Sequence, residues 1–269
     1  MCDRLGIHPD QVHYVQGDTE KVAIGEGTGG SRSAALGGSA VHLATEKIVT
    51  KATAIAASIL DADPSEINFD DGLFSAPRSN RRLTIGEIAG ESLNPRNLPE
   101  GMDLGLIAGA TFSCKEQNFP NGCHICELEI DEETGEVEIL RYSVVDDVGT
   151  VMNPLLLEGQ IRGGIAQGVG QVLMEDIRFD PASGQLLTGS FMDYAMPRAG
   201  DLSAIECDSN PVPTQTNPLG VKGAGEAGNV GALPAVGNAL VNALSPLGIR
   251  HIEIPATPER LWRAMRQAG

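Results

Sequence analysis

The sequence predicts an α+β fold, and three observations lead to that prediction. Helical and strand patterns are both present, they do not alternate strictly along the chain, and one segment has the form of a β-hairpin. The 269 residues are enough for a sizeable core in one large or two small domains. With 33 glycines the chain is also rich in the residue that lets loops take special backbone shapes.

The first half of the chain is predicted to contain one long helix between short elements. Residues 11–24 are expected to form a short strand and a turn that lead into the glycine-rich segment GEGTGGSRS. Apolar residues at three- and four-residue spacings then predict a long amphipathic helix over residues 40–60. Its predicted apolar stripe consists of Val41, Ala44, Ile48, Ala52, Ile55 and Ile59. After it we expect a short strand near residues 67–69, a loop at 75–82, a short helix at 84–92 and a second loop at 94–101.

The second half is predicted to contain a hairpin followed by helices. Segments 123–130 and 136–145 have strand character and flank the turn DEETG. A helix is predicted over residues 157–176, whose glycines indicate close packing against another backbone. A further strand is expected over residues 184–194. Two more helices are predicted, one over residues 233–244 with Pro234 in its first turn and one over residues 258–267 capped by Thr257.

The charge balance excludes some classes of partner. The chain has 36 acidic and 19 basic residues, a formal net charge of −17 and a pI near 4.6, so it repels nucleic-acid phosphates and anionic lipid surfaces. No apolar run approaches the roughly 18 residues of a membrane span, and the start of the chain lacks a basic region followed by an apolar one. We therefore expect no nucleic-acid partner, no membrane span and a cytoplasmic location.

The cysteines are too few for a disulfide framework in a chain of this length. Cys123 and Cys126 form a CxxC motif that is also found in zinc and iron-sulfur sites. If the segment is a strand, however, the two side chains face opposite sides, with Cα atoms about 10 Å apart. We expect both cysteines to be structural and His124 to be a satisfied core or interface residue. Asp146 and Asp147 end the predicted strand and are expected to be turn acids rather than catalytic groups.

Two glycine loops match the pattern G-x-G-x-x-G, and each precedes a predicted helix. They are GEGTGG, with Gly25, Gly27 and Gly30, and GAGEAG, with Gly223, Gly225 and Gly228. A nicotinamide or flavin dinucleotide site is one interpretation, but it requires a buried strand running straight into the first glycine, and the sequence before each loop does not provide one. More generally, such loops bind anions through converging backbone N–H groups, and Ser31, Arg32 and Ser33 add donors suited to a phosphate. An ordinary glycine-rich turn is the open alternative.

The second loop contains a single carboxylate, Glu226, among glycines and alanines. A glutamate in a loop is usually solvated. Bare glycines on both sides would also let a substrate or cofactor approach closely, so a partly buried general base is the functional interpretation. Lys222, four residues earlier, is either an anion contact or a surface charge.

Five separated segments together resemble one protein family. They are GTGGSRS, NGCHICELEIDEETGEVEILRYSVVDDVGTVMNP, EGQIRGGIAQGVGQ, GSFMDYAMPRAGDL and NPLGVKGAGEAG, in that order. The same motifs occur in this order in the molybdenum-binding large subunit of the xanthine dehydrogenase, aldehyde oxidase and carbon monoxide dehydrogenase family. The resemblance implies that this α+β chain is the second molybdenum-cofactor-binding domain of a molybdenum hydroxylase large subunit, with mixed sheets and packed helices. Residues 1–269 are then one molybdopterin-binding domain, or two subdomains with a boundary near residues 110–120.

The resemblance gives Glu226 and the glycine loops definite roles. In the family the glutamate of the GxGE loop stands beside molybdenum and takes a proton from the metal-bound hydroxyl, so Glu226 is expected to be the catalytic base. No side chain of this chain is expected to bind the metal directly. The residues expected to contact the pterin or its phosphate tail are Gly29, Gly30, Ser31, Arg32, Ser33, Gln167, Gly168, Lys222, Gly223, Ala224 and Gly225.

The resemblance also implies partners. The expected cofactor is molybdopterin, of which the cytosine dinucleotide is one candidate form, and in the family it is buried between the two halves of the large subunit. We therefore expect an N-terminal molybdenum-domain polypeptide, an iron-sulfur subunit and an FAD subunit, with the iron-sulfur clusters and FAD on those partners only. The expected substrate is an aldehyde, an N-heterocycle or a similar small molecule. The alternative is a non-catalytic interaction or assembly subunit, or a fragment, that keeps the fold.

Overall fold

The structure is a computed structural model that describes residues 1–22, 25, 27–202 and 205–268, and it divides the chain into two compact units. The first unit consists of Met1–Thr28 with Ser33–Lys115, and the second of Gly29–Arg32 with Glu116–Gly269. Each unit has its own hydrophobic core. Helices and sheets are combined in both units, so the predicted α+β class is confirmed.

The first unit packs one long helix against a small antiparallel sheet. Buried side chains of the helix, among them Ala52 and Ile55, meet Phe74, Leu83 and Ile88 from the sheet and a short helix. The elements are α1 (Cys2–Leu5), α2 (Ser33–Leu60), β1 (Asn68–Asp70), β2 (Leu73–Ser75), β3 (Arg82–Thr84) and α3 (Ile85–Glu91), with strand order β1-β2-β3. Single turns of 3-10 helix lie at Pro9–Gln11, Pro64–Glu66 and Pro95–Asn97.

The predictions for this unit are confirmed for α2, β1 and α3. Helix α2 begins at Ser33, seven residues before the predicted start, and Val41 is exposed rather than part of the apolar stripe. Strands β2 and β3, each three residues long, were not predicted. The strand predicted within residues 11–24 is wrong for residues 11–22, which form no strand, while residues 23 and 24 lie outside the described residues.

The second unit is built on a mixed three-stranded sheet. Strand β4 (Asn121–Ile130) pairs antiparallel with β5 (Val137–Asp147), which confirms the predicted hairpin. Strand β6 (Ile205–Ser209) pairs parallel with β5 on its other edge, and it was not predicted. The sheet order is therefore β4-β5-β6.

Helices α4 and α5 cover one face of this sheet. Helix α4 (Pro154–Leu173) begins where the Oδ1 atom of Asn153 accepts a hydrogen bond from the backbone N–H of Leu156. Helix α5 (Ala227–Leu244) runs alongside it and also contacts β4, and α6 (Pro258–Ala268) closes the chain. The shared core contains Tyr142, Val144, Ile161, Ile165, Val169, Val236, Leu240, Leu244 and Leu261.

Two predictions in this unit are wrong. Helix α5 begins at Ala227 rather than near Leu233, so Pro234 lies in its interior rather than in its first turn. Val230 and Pro234 are both exposed, so water can bond the Val230 carbonyl that the proline leaves without an N–H donor. The strand predicted at residues 184–194 does not form; the segment makes only an isolated bridge between Phe179 and Leu186.

Helix α5 also corrects the prediction that no stretch is long and apolar enough to span a membrane. The stretch Ala227–Leu247 meets that criterion by length and composition, with a mean hydropathy of 1.3. Its buried residues, among them Ala232, Val236 and Leu240, pack against α4 and the sheet. The face of α5 that packs against α4 and the sheet explains part of the apolar composition, since 22% of the stretch is buried.

Candidate functional site

The loop that carries Glu226 is held at its base by backbone and side-chain bonds. Asn217 is buried, and its amide donates to the carbonyl of Val221 over 2.8 Å while its Oδ1 accepts from the N–H of Val221 over 3.2 Å. Val221 is itself buried and forms an isolated antiparallel bridge with Gly149. This part of the loop is therefore rigidly joined to the segment that follows β5.

Lys222 extends the same anchor with a buried ion pair. Its ammonium lies 2.5 Å from Oδ2 of Asp147, and its backbone N–H donates to the carbonyl of Val148 over 2.8 Å. Burial alone would raise the pKa of Asp147, but the Lys222 ammonium and the N–H groups of Val212 and Gly149 outweigh it and lower that pKa to about 2. The structure thus places Lys222 on Asp147. Asp147 is the last residue of β5 and holds the loop, rather than lying in a turn as expected.

Glu226 lies at the N-cap position of α5 without capping the helix through its side chain. Instead, its Oε2 accepts a hydrogen bond from Oγ of Ser31 over 2.9 Å, across 195 residues of sequence. The side chain is exposed.

Ser31 reaches Glu226 because it sits in an unusual turn. Gly30 and Ser31 both have left-handed backbone, with φ of 60° and 54°. A Cβ atom on Gly223 would lie 2.7 Å from the carbonyl oxygen of Ser31, and one on Gly225 would lie 3.2 Å from its Oγ. The bare loop around Glu226 is therefore required for the two glycine-rich segments to meet.

The remaining predicted cofactor contacts fall into two groups. Gly29, Gly30 and Arg32 lie in the same unit as Glu226, and side chains on the two glycines would meet no heavy atom within 4 Å, so their backbone is open to a ligand. Ala224 lies half-buried in the Glu226 loop. Ser33 instead belongs to the first unit, where its Oγ lies 2.8 Å from Oγ1 of Thr28.

The predicted cofactor contacts on helix α4 are Gln167 and Gly168, and the structure gives Gly168 a different role. Gly168 is buried, and a Cβ atom there would lie 2.6 Å from Cβ of Ala232 in α5, so the structure explains this glycine by helix packing. Gln167 is exposed on α4. The residue of α4 that comes near the loop is Gln160, whose Oε1 lies 3.7 Å from the Cβ position of Gly225. Gln160 lies two helical turns before Gln167, so both residues are on the same face of the helix, and this spacing could have identified Gln160 from the sequence.

The start of α5, and with it Glu226, is set by a close crossing with α4. A Cβ atom on Gly228 would lie 2.3 Å from the carbonyl oxygen of Ile161, and one on Gly164 would lie 2.8 Å from the backbone N of Asn229. Only glycine permits backbones to approach so closely. The prediction that the glycines of α4 serve close packing is therefore confirmed for Gly164 and Gly168, whereas Gly159 and Gly163 face open space.

His124 supports the same helix from the sheet. Its Nδ1 lies 2.8 Å from Oη of Tyr142 and its Nε2 lies 3.2 Å from Oδ1 of Asp146, and its ring packs against Gly231 of α5. Both polar partners are buried, and the His124 side chain is 7% exposed. The interpretation of His124 as a satisfied core histidine is confirmed.

The two cysteines of the CxxC motif lie on opposite faces of β4, as predicted. Cys123 is exposed, while Cys126 is half-buried, and burial raises the pKa of the Cys126 thiol to about 11. In the described part of the chain, no three His, Cys, Asp or Glu side chains are grouped so that they could hold a metal ion.

A family model described as "Molybdopterin cofactor-binding domain" matches residues 1–203. The chain belongs to this family. The resemblance drawn from the five sequence motifs is thereby confirmed, and it extends past the matched range to the Glu226 loop in the relatives that follow.

Among its relatives, the carbon monoxide dehydrogenase large chain of Hydrogenophaga pseudoflava is 33% identical over 99% of this chain. The nicotine 6-hydroxylase large subunit of Paenarthrobacter nicotinovorans is 36% identical over 98% of it. A solved structure of reconstituted carbon monoxide dehydrogenase from Oligotropha carboxidovorans matches all of this chain with a TM-score of 0.91 and 33% identity, and the match spans 33% of that chain. This chain likewise spans 33% of the length of each of the two curated relatives.

The residues around Glu226 fit a phosphate-bearing organic cofactor. The backbone of Gly29 and Gly30 is uncrowded, so its N–H groups are accessible to an anion. Arg32 follows with a guanidinium donor, while the Ser31 hydroxyl donates to the exposed carboxylate of Glu226 beside this turn.

Proposed function

We propose that this chain is the cofactor-binding part of a molybdenum hydroxylase large subunit and that Glu226 is its catalytic base. The observation that carries the proposal is the exposed Glu226 carboxylate, which accepts a hydrogen bond from the glycine-rich turn that contains Ser31. A base must be reachable by the group from which it takes a proton, and bare glycines beside it provide that access.

Each part of this site has a task in the proposed function. The Gly29–Arg32 turn binds the phosphate-bearing part of molybdopterin through backbone N–H groups, next to the Gly223–Gly225 segment. When bound, the cofactor supplies the molybdenum centre that takes up the two electrons of the oxidation. Glu226 accepts a proton at its carboxylate, while the α4–α5 crossing and the Asp147–Lys222 pair hold its loop in place.

The names of the relatives support partner subunits and a small-molecule substrate. Their names include a "large chain", a "large subunit" and a "complex subunit gamma", and this chain spans a third of their length. We therefore propose an N-terminal molybdenum-domain polypeptide, an iron-sulfur subunit and an FAD subunit as partners, and the cytosine dinucleotide as the form of the pterin. The proposed substrate is a small aldehyde or N-heterocycle, and the proposed location is the cytoplasm.

The two other interpretations of the sequence make different predictions. A dinucleotide-binding oxidoreductase is disfavoured because the strands of the described residues form a small antiparallel sheet and a mixed sheet rather than an open parallel one. A non-catalytic assembly subunit would keep the fold without needing an accessible carboxylate in the glycine loop.

Elemental analysis of the complex purified from its native host tests the proposal. We expect about one molybdenum per chain, together with iron and at least one further large polypeptide. A complex that is intact by size and contains no molybdenum would support the assembly subunit instead. Bound flavin on this chain alone, without molybdenum, would support the dinucleotide-binding enzyme.

A further inference from the structure

We propose that Ser31 is a positioning residue that fixes the carboxylate of Glu226 for proton transfer. The proposal rests on the proposed function of Glu226 and adds to it a residue that acts through the base. Its central observation is the 2.9 Å hydrogen bond from Oγ of Ser31 to Oε2 of Glu226.

Glu226 needs an external partner because its own segment does not hold it. The side chain makes no capping bond to the start of α5, and it is exposed. An exposed glutamate has several rotamers of similar energy, and ordering one of them costs conformational entropy. A donor that binds one carboxylate oxygen selects the rotamers that reach it, and it leaves Oε1 as the oxygen that accepts the proton.

Ser31 is suited to this task because its own position is fixed. Its backbone has the left-handed φ of 54°, which few residues other than glycine and asparagine adopt readily. Its carbonyl and its Oγ lie close to the backbone of Gly223 and Gly225, where any side chain would intrude. The hydroxyl is therefore presented from a turn that is packed against the loop of the base itself.

A positioning role and simple cofactor binding predict different experimental results. A serine that only contacts the cofactor would affect cofactor retention and would act independently of Glu226. A serine that positions Glu226 would leave cofactor retention unchanged, and its effect would vanish when the carboxylate is absent.

The test uses the assembled, cofactor-loaded protein and three variants at this position. Ser31→Gly removes the hydroxyl and tolerates the left-handed backbone, Ser31→Ala removes it with some strain, and Ser31→Asn restores a donor in a residue that adopts the left-handed conformation. We expect the glycine and alanine variants to lose about tenfold in kcat, with KM and molybdenum content unchanged, and the asparagine variant to recover part of that loss. In a Glu226→Gln background, Ser31→Gly should cause no further loss.

A spectroscopic measurement gives a readout that is independent of turnover. Glutamate labelled with carbon-13 at its carboxyl group allows the Glu226 signal to be assigned by its disappearance in Glu226→Gln. We expect Ser31→Gly to shift that signal and Ser183→Ala, at an exposed serine bonded to Asp180, to leave it in place.

The outcomes separate the two claims. If Glu226→Gln lowers turnover but Ser31→Gly changes neither kcat nor the carboxyl signal, the positioning role is wrong. The role is also wrong if Ser31→Gly lowers molybdenum content, or lowers turnover equally in the Glu226→Gln background, because Ser31 would then act on the cofactor. If Glu226→Gln itself has no effect on turnover, the proposed function fails first.

Discussion

Replacement of Gly228 by alanine should destabilise the second unit and displace the catalytic loop. The added Cβ would lie 2.3 Å from the carbonyl oxygen of Ile161 and 3.1 Å from the backbone N of Ile165. These are backbone atoms in the middle of α4, so no side-chain rotation can relieve the overlap. One of the two helices must shift.

The expected magnitude follows from two opposing terms. Overpacking a tight contact costs typically about 1–3 kcal/mol, and an overlap with backbone belongs at the upper end. The gain in helix propensity from glycine to alanine is at most about 1 kcal/mol, and it is smaller in the first turn where Gly228 lies. We therefore expect the free energy of unfolding to fall by about 2 kcal/mol, which corresponds to a decrease in Tm of about 4–8 °C for a unit of this size.

A matched control lies in the same helix. Gly237 of α5 has no heavy atom within 4 Å of its Cβ position, so Gly237→Ala should bring the propensity gain without a clash. The same contrast exists between neighbours on α4, since Gly164 faces Asn229 and Gly163 faces open space. We expect Gly163→Ala to be neutral or stabilising and Gly164→Ala to be destabilising.

Thermal and denaturant unfolding of these four variants measure the difference directly. The change in turnover should follow the same order, because Glu226 immediately precedes α5. Equal Tm values for Gly228→Ala and Gly237→Ala would refute the close crossing of α4 and α5. Unchanged turnover in a clearly destabilised Gly228→Ala would refute its role in placing Glu226.

Three further predictions concern charged and thiol groups. Because the folded pKa of Asp147 is lowered from 3.8 to about 2, its stabilising contribution is present above pH 4 and is lost as the pH falls from about 4 to about 2. Acid unfolding curves should thus show a loss of about 2 kcal/mol over this range that is absent in Asp147→Asn, and an identical slope in both proteins would contradict the assignment. Lys222→Met should cost about 3 kcal/mol by leaving Asp147 buried without its cation, and unchanged denaturant stability would show that the pair is not formed. In the folded chain at pH 7.5, the exposed Cys123 should react with a thiol reagent at least tenfold faster than Cys126, whose pKa is raised to about 11; mass spectrometry of modified peptides that shows equal labelling would rule this out.

The elements predicted correctly are those with a strong local pattern. Helix α2 and helix α4 have apolar residues at helical spacing over many turns, and the β4–β5 hairpin has two long strands around a clear turn. The five motifs also identified the family, because their order along the chain carries information that none of them carries alone.

The errors arise where tertiary contacts override local preference. Helix α5 begins at Ala227 despite the glycines at positions 228 and 231. Helix α4 packs against Gly228 and the His124 side chain packs against Gly231, so both positions require glycine. The local sequence does not reveal this packing. Strand β6 is short and contains acidic residues, and it exists because β5 offers a free edge for parallel pairing. Conversely, the segment 184–194 has strand-like residues but pairs with no strand within the described part of the chain, apart from the isolated bridge from Leu186 to Phe179.

Within the site, the sequence identified Glu226 but not the groups that hold it. The hydrogen bond from Ser31 joins residues 195 positions apart, and the pair between Lys222 and Asp147 joins residues 75 positions apart. No local spacing encodes such contacts. The glycines indicated that another group approaches the loop closely, and the structure shows that the Ser31 turn of the same chain is one such group.

The central claim is tested most directly by the turnover per bound molybdenum of the assembled protein carrying Glu226→Gln. Glu253→Gln, which makes the same chemical change at another exposed glutamate of the second unit, is the matched control. We expect Glu226→Gln to keep its molybdenum and lose about 10²- to 10⁴-fold in turnover, while Glu253→Gln behaves as the wild type. Equal turnover per molybdenum in the wild-type and Glu226→Gln proteins would contradict the account.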